Sequence, residues 1–316
     1  MIAATPFKNG KRYYPISQHY YQKFGKKVFK VSISVADSCP NRENDSMSVC
    51  VFCDEWGSAA YNQNRGESII NQIKINRNAI KKRYKAEKFL IYFQSYTNTF
   101  GRFKKFESLY KTALEEKDVL GIVIGTRPDC LPRRILQKFQ EIAEKNYLSV
   151  ELGVQTLDNW QLNFLSRGHD RVCSLKAIQK LKSLSGVNIC VHLMFGLPKE
   201  TDQQIRETAQ ILSELEIDGV KLHNLHVLRN TPLEKMYQNS NFIPIDLEEY
   251  ALKVALFLEN LSPKIAVHRL TAVASRWDEL IAPRWTKEKM RPTQYIEDFL
   301  ESKNTWQGRV FVNKKV

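Results

Sequence analysis

Cysteine is scarce in this chain: six among 316 residues are too few for a disulfide scaffold. Long apolar runs are missing too. The longest, Val119 to Gly125, is far short of the roughly 20 residues a membrane-crossing helix needs. The first thirty residues hold no apolar core of an export signal, so a reducing cytoplasm is expected, with no membrane partner. Cysteine clusters in that compartment more often hold metal than pair. Internal repeats and low-complexity linkers are also lacking. At 43% hydrophobic and 26% charged residues, disordered, collagenous and coiled-coil classes are excluded.

Negative charge is what the amino-terminal segment lacks. Residues 1–30 carry Lys8, Lys11, Arg12, Lys23, Lys26, Lys27 and Lys30 with no acidic residue, half of the net +14 of the chain. Phe7, Tyr13, Tyr14, Tyr20, Tyr21, Phe24 and Phe29 are interleaved among them. A second basic stretch, Lys74 to Lys88, opposes seven cations with only Glu87. Basic side chains bind phosphate backbones regardless of sequence, and aromatic rings stack on unpaired bases. RNA is therefore the expected partner, the plain alternative being a solvated face over an ordinary core.

Apolar runs recur at Val28–Val35, Phe89–Gln94, Val119–Arg127, Ser149–Thr156, Asn188–Leu197 and Gly219–Val227, with amphipathic stretches between them. In 201–216, Ile205, Ala209, Leu212 and Leu215 share one helical face, and Thr201 or Asp202 can cap its start. Strand followed by helix, repeated, predicts a parallel sheet with right-handed crossovers. Six such units over residues 28–230 predict an α/β chain built as a full or partial β/α barrel. The basic aromatic segment 1–27 precedes it. Residues 231–316 read as a small C-terminal α/β extension, with a helix over Leu247–Leu258 and a short strand over Ile265–Leu270.

Alternate strand residues face opposite sides, so parity sorts them. In the fourth run, Leu148, Val150, Leu152 and Val154 suit packing beneath helices, leaving Glu151, Gly153 and Gln155 on the other face. The next two runs repeat the pattern: Cys190, His192 and Met194 in one, Lys221 and His223 in the other. Three consecutive strands thus aim polar groups at a common interior, which predicts a ligand cavity; satisfied contacts in a packed barrel are the alternative. Gly153 would let a ligand approach the backbone.

Cys39, Cys50 and Cys53 form C-x10-C-x2-C on the loop after the first strand, where barrels place their chemistry. Three thiolates can share one metal centre. A structural zinc needs a fourth protein ligand, and none is nearby. An iron–sulfur cube on three cysteines keeps one iron open for a small ligand. A partial zinc knuckle or incidental thiols are the remaining options.

Cys39-Pro-Asn-Arg followed by Cys50-Val-Phe-Cys53 resembles the cluster loop of the radical SAM superfamily. More narrowly the chain is similar to the YhcC/YtqA-type branch, related to the radical SAM core of the elongator catalytic subunit. The likeness spans nearly the whole chain, through Tyr92-Phe-Gln-Ser, Glu151-Leu-Gly-Val-Gln-Thr, Ser166-Arg-Gly-His, His192-Leu-Met-Phe-Gly, Lys221-Leu-His-Asn and His268-Arg-Leu-Thr. It implies a partial (β/α)6-type radical SAM barrel. It implies a [4Fe-4S] cluster on Cys39, Cys50 and Cys53 that binds S-adenosylmethionine, whose one-electron cleavage gives a 5′-deoxyadenosyl radical. By the matching motifs Phe52 lies by the adenine, Gln94 and Ser95 stand at the turn that contacts the methionine end, and Gln155, Arg167 and His192 hold the ribose and carboxylate. Lys221 and His223 are left as substrate contacts, and Cys130, Cys173 and Cys190 as structural thiols.

The chain departs from the pattern at Val35-Ala36-Asp37 and Ser48-Val49, where family members often carry glycine, and at Gly125, where some place an acidic ribose ligand. Relatives of this branch are implicated in converting 5-carboxymethylaminomethyl toward 5-aminomethyl at the tRNA wobble uridine. The resemblance therefore implies tRNA and an electron donor such as flavodoxin or ferredoxin as partners. Two alternatives stand beside it: the same chemistry on a small molecule or protein, and a non-catalytic zinc module that binds RNA.

Overall fold

The computed structural model describes residues 7–35, 39–43, 49–54, 57, 66–274, 276–288 and 290–312. The chain opens with α1 (Ile16–Phe24), β1 (Val28–Ile33), α2 (Pro40–Glu43), α3 (Ile69–Tyr84) and β2 (Lys88–Phe93). It continues through α4 (Phe103–Leu114), β3 (Val119–Thr126), α5 (Arg133–Ala143), β4 (Tyr147–Gln155), α6 (Asn159–Phe164), α7 (Arg171–Lys182) and β5 (Val187–Phe195). Then come α8 (Asp202–Glu214), β6 (Gly219–Asn224), β7 (Val227–Leu228), α9 (Pro232–Gln238) and α10 (Leu247–Asn260). The last elements are β8 (Ala266–Arg269), β9 (Leu280–Ala282) and α11 (Met290–Ser302).

Among the described residues seven strands form one curled parallel sheet in the order β1-β2-β3-β4-β5-β6-β8, the partial barrel that the β/α alternation predicts. The seventh strand comes from the C-terminal part: β8 pairs with β6, so the short strand expected near Ile265–Leu270 extends the main sheet. Helix boundaries follow local chemistry. Thr201 and Gln204 close a reciprocal capping box at the start of α8, and Gly25 ends α1 at φ 66°, a left-handed turn that glycine adopts without strain. The outer face of the sheet meets the helices through fully buried Ile33, Ile91, Ile122, Leu148, Val150 and Val191. Each such side chain contributes about 1.5–3 kcal/mol of burial.

The inner face is closed at the amino-terminal end of the strands by α1. Tyr20, with Ile16 and Phe24, packs on Leu90, Tyr92, Val123 and Tyr147, and the Tyr20 and Tyr147 rings meet edge to face at 6.3 Å. The same segment reaches β8, where Val267 donates its N–H to the Tyr14 carbonyl at 2.7 Å. The expectation that these aromatics stack on bases is corrected here for Phe7, Tyr13 and Tyr20. They are buried and their faces are spent on packing, whereas Tyr21 is exposed. The two basic stretches meet at the start of β1, where Phe29 stacks on Tyr84 at 5.0 Å beside exposed Lys26, Lys27, Lys82, Arg83 and Lys85. No helix among the described residues is long and apolar enough to cross a membrane.

Candidate active site

A cavity of about 350 Å³ opens inside the half-barrel and reaches the loops at the carboxyl ends of the strands. Cys39, Cys50 and Cys53 all line it. Their loop is held from both sides. The Val51 N–H donates to the Leu165 carbonyl at 3.2 Å, and the Val51 carbonyl accepts from Leu233 N–H at 2.9 Å. The Val51 side chain is sunk among Leu165, Met194, Leu225 and Leu233. Cys39 opens α2, accepting backbone N–H groups from Arg42 and Glu43, and Cys53 turns back to donate to the Cys50 carbonyl at 2.9 Å.

Nitrogen donors point at the sulfurs. Cys50 Sγ receives Arg167 Nη1 at 3.4 Å and Asn41 Nδ2 at 3.5 Å, and Cys53 Sγ receives Arg42 Nη2 at 3.6 Å. Arg127 steadies this shell by donating to Asn41 Oδ1 at 2.6 Å while pairing with Asp129 at 2.7 Å. Burial pushes the Cys53 thiol up to about 11, with the Arg42 hydrogen bond opposing it. Three sulfur donors lining one cavity, two of them met by cationic and amide N–H groups, fit an anionic iron–sulfur cluster with one site left open. Ala36, Asp37 and Ser48, which depart from the family's glycine pattern, lie outside the described residues.

The structure brings every sequence candidate for the sulfonium cofactor to this cavity. Phe52, Gln94, Ser95, Gln155, Arg167 and His192 all line it. Ser95 and Tyr96 take left-handed φ of 62° and 50°, so this turn adopts a glycine-like path without glycine. It is fastened by Asn98 Nδ2, which donates to the carbonyls of Phe93, Ser95 and Gly125. Arg167 Nη2 donates to the Gly153 carbonyl at 2.8 Å. A Cβ on Gly153 would come within 3.0 Å of Gln155 Nε2 and 3.3 Å of that guanidinium. Gly153 is therefore the space in which Gln155 and Arg167 approach one another.

His192 sits deeper, in a network that sequence reasoning did not assemble. Glu151, fully buried, accepts from His192 Nε2 at 2.7 Å and Lys221 Nζ at 2.8 Å, pairs with Lys30, and lies 3.4 Å from His268 Nδ1. Lys221 also donates to the Tyr92 hydroxyl at 3.1 Å. Arg269 Nη2 donates to His223 Nδ1 at 2.7 Å. The cations hold the Glu151 carboxyl well below the usual range against its burial. Burial, and secondarily the neighbouring cations, bring His192 down to about 4 and His268 to about 3, so both are neutral imidazoles near pH 7. His223 is also lowered by burial and by Arg269.

Lys221 and His223 therefore reach the cavity already engaged, one on Glu151 and the other on Arg269. Parity alone had placed Glu151 on the inner face, without a role; Lys30, Tyr92, His268 and Arg269 were not among the sequence candidates. Strand parity could have found Lys30 in β1 and Tyr92 in β2. It could not have found the other pair, because the β6–β8 register shifts between Val220 and Lys221 and turns both His268 and Arg269 inward. Gly219 makes room for this: a Cβ there would come within 2.5 Å of His268 Nε2.

Comparison with known proteins agrees with this geometry. The Radical SAM superfamily model matches residues 33–212, and the Radical_SAM C-terminal domain model matches residues 217–302. The uncharacterized protein YtqA of Bacillus subtilis is 34% identical over 308 residues, covering 97% of this chain and 95% of that protein. A tRNA uridine(34) acetyltransferase of Methanocaldococcus jannaschii is 33% identical over 153 residues, covering 47% of this chain and 27% of that protein. The solved structure of Methanocaldococcus infernus Elp3 with an N-terminal deletion superposes with a TM-score of 0.68 at 18% identity, which shows the shared fold; it covers 89% of this chain and 64% of that one. The chain belongs to the radical SAM superfamily, in its YtqA/YhcC-type branch, and the cofactors of that superfamily are a [4Fe-4S] cluster and S-adenosylmethionine. This membership sets aside the zinc-module reading of the three cysteines.

Proposed function

We propose that this radical SAM enzyme modifies the tRNA wobble uridine, taking a 5-carboxymethylaminomethyl group toward 5-aminomethyl. The observation that carries the reading is the sharing of one cavity by the three cysteines and the polar strand residues below them. When bound, the cluster and S-adenosylmethionine supply a one-electron cleavage that yields a hydrogen-abstracting 5′-deoxyadenosyl radical. Cys39, Cys50 and Cys53 would hold the cluster, with Arg42, Asn41 and Arg167 directing N–H groups at its sulfur ligands. Phe52, Gln94, Ser95, Gln155 and Arg167 would orient the sulfonium cofactor. His192, expected beside the cofactor, is instead tied to Glu151, so with Lys221 and His223 it would form the inner wall that meets the substrate. Recessed between the strands, these half-buried side chains would limit the access of water to the reacting end.

The choice of tRNA is supported by likeness to the tRNA uridine(34) acetyltransferase and by the joined basic surface around Phe29 and Tyr84. An electron donor such as flavodoxin or ferredoxin completes the reaction. Nucleoside mass spectrometry of tRNA from cells with and without the gene tests the assignment. Loss of the gene is expected to leave 5-carboxymethylaminomethyluridine unconverted; an unchanged set of wobble nucleosides overturns the tRNA reading. A small-molecule or protein substrate is the second reading, favoured by the burial of Tyr13 and Tyr20 away from any base. Under that reading tRNA binding would be weak and insensitive to salt, since phosphate-driven affinity falls as salt rises.

A further inference from the structure

The inner end of the cavity holds more positive charge than it can neutralise. Lys30, Lys221 and Arg269 converge there, and the carboxylate among them is Glu151. Both Glu151 oxygens are committed to Lys30, Lys221 and the histidines. Arg269 forms no salt bridge among the described residues. Its Nη2 rests on a neutral His223, and its buried Nε has no hydrogen-bond partner among those residues. A guanidinium placed in a low-dielectric wall without a counter-charge is expensive unless a ligand completes it. Lys221 and Arg269 are register partners on adjacent strands, both lining the cavity. The inward turn that brings Arg269 there depends on the register shift already described, a local feature that re-aims a side chain.

We infer that this inner end receives a carboxylate group of the substrate, gripped by the Arg269 guanidinium with the Lys221 ammonium beside it. A planar fork of N–H donors matches a carboxylate in two-point geometry, which a lone ammonium cannot do. The alternative ligand, a metal cation on Glu151, Cys190 and His268, is met by the grouping of these atoms within 4.8 Å. Two ammonium groups on the same carboxylate repel a cation, so the site suits an anion. The inference rests on the proposed reading, in which the reacting substrate enters this cavity from the cysteine side. The methionine carboxylate of the cofactor is the other source of such an anion, and the test separates the two.

Protein reconstituted with iron, sulfide and saturating S-adenosylmethionine would be titrated with two pairs of probes. The first is 5-carboxymethylaminomethyluridine and its methyl ester; the second is N-benzylglycine and its methyl ester. In each pair the acid is expected to bind about tenfold more tightly than the ester in the parent protein, with the gap falling to about twofold in Arg269→Gln and lying between in Arg269→Lys. Affinity for S-adenosylmethionine stays within about twofold in both variants. Equal binding of acid and ester in both pairs overturns the inference whatever the tRNA result, and this arm needs no variant. Acid preference with N-benzylglycine but not with the nucleoside supports the clamp and removes the wobble-uridine reading. An Arg269→Gln protein that loses affinity for S-adenosylmethionine while keeping the acid–ester gap assigns the guanidinium to the cofactor and overturns the inference.

Discussion

The two ends of the cavity are built in opposite ways. The outer end draws three sulfurs from fifteen consecutive residues, Cys39 to Cys53, and seats them on a loop pinned by Val51. The inner end draws single residues from strands spread over the chain: Lys30, Tyr92, Glu151, His192, Lys221 and Arg269. Positive groups line both, but they face different loads. Outside, Arg42 and Arg167 point at thiol sulfur. Inside, two ammonium groups share one carboxylate and the Arg269 guanidinium stands on a histidine. The contrast teaches that a ligand site of local origin announces itself by spacing, whereas one of sheet origin is visible only through the register that gathers it.

Replacing Cys53 by Ala should break the outer end outright: reconstituted protein is expected to lose its iron–sulfur absorbance and its cleavage of S-adenosylmethionine. Unchanged absorbance and unchanged iron per chain would remove Cys53 from the cluster. At the inner end Glu151→Gln strips two half-buried ammonium groups of their fully buried carboxylate. It should lower stability by about 3–5 kcal/mol, read as a shift in the urea midpoint, the range for unpairing a buried ion pair. A midpoint shift within error would mean that the network is solvated. Gly219→Ala is smaller and sharper. Its Cβ would meet His268 Nε2, so about 1–3 kcal/mol of overpacking is expected together with a moved His268 imidazole resonance. An unmoved resonance would sever the link between the register shift and the inner cluster.

The smallest effect concerns pH. Burial and the nearby Arg269 and Lys30 bring Lys221 down to about 8, opposed by Glu151; Tyr92, His192 and His223 complete its surroundings. Below that pH the ammonium favours a bound carboxylate; above it the charge is lost and affinity should weaken. The N-benzylglycine acid–ester gap is therefore expected to narrow a few-fold as pH rises through about 8, and Lys221→Arg should shift that narrowing upward. A gap that is flat across this range in the parent protein would assign the anion to Arg269 alone.

Much of the site was legible in the chain because strand parity is a local rule. Glu151, Gln155, His192, Lys221 and His223 all lie on the inner face that alternation predicts, and all line the cavity. Arg167 reached the site by motif likeness alone, since it sits on the turn after α6 where no periodicity applies. Lys30 follows the same parity as its neighbours but looked like one more member of a basic run. His268 and Arg269 are adjacent in sequence and would face opposite sides of a regular strand, so nothing in the chain shows both turning inward.

The amino-acid sequence by itself determined the β/α alternation, the three-cysteine loop and the polar parity of β4, β5 and β6, because each depends on spacing within one element. Tertiary structure alone decided that α1 plugs the barrel with Tyr20, Ile16 and Phe24, which takes that ring away from bases, and that β8 joins the main sheet. It also decided which charges share Glu151. Those outcomes depend on which strands become neighbours and in what register, and pairing between distant segments is set by the packing of the whole sheet.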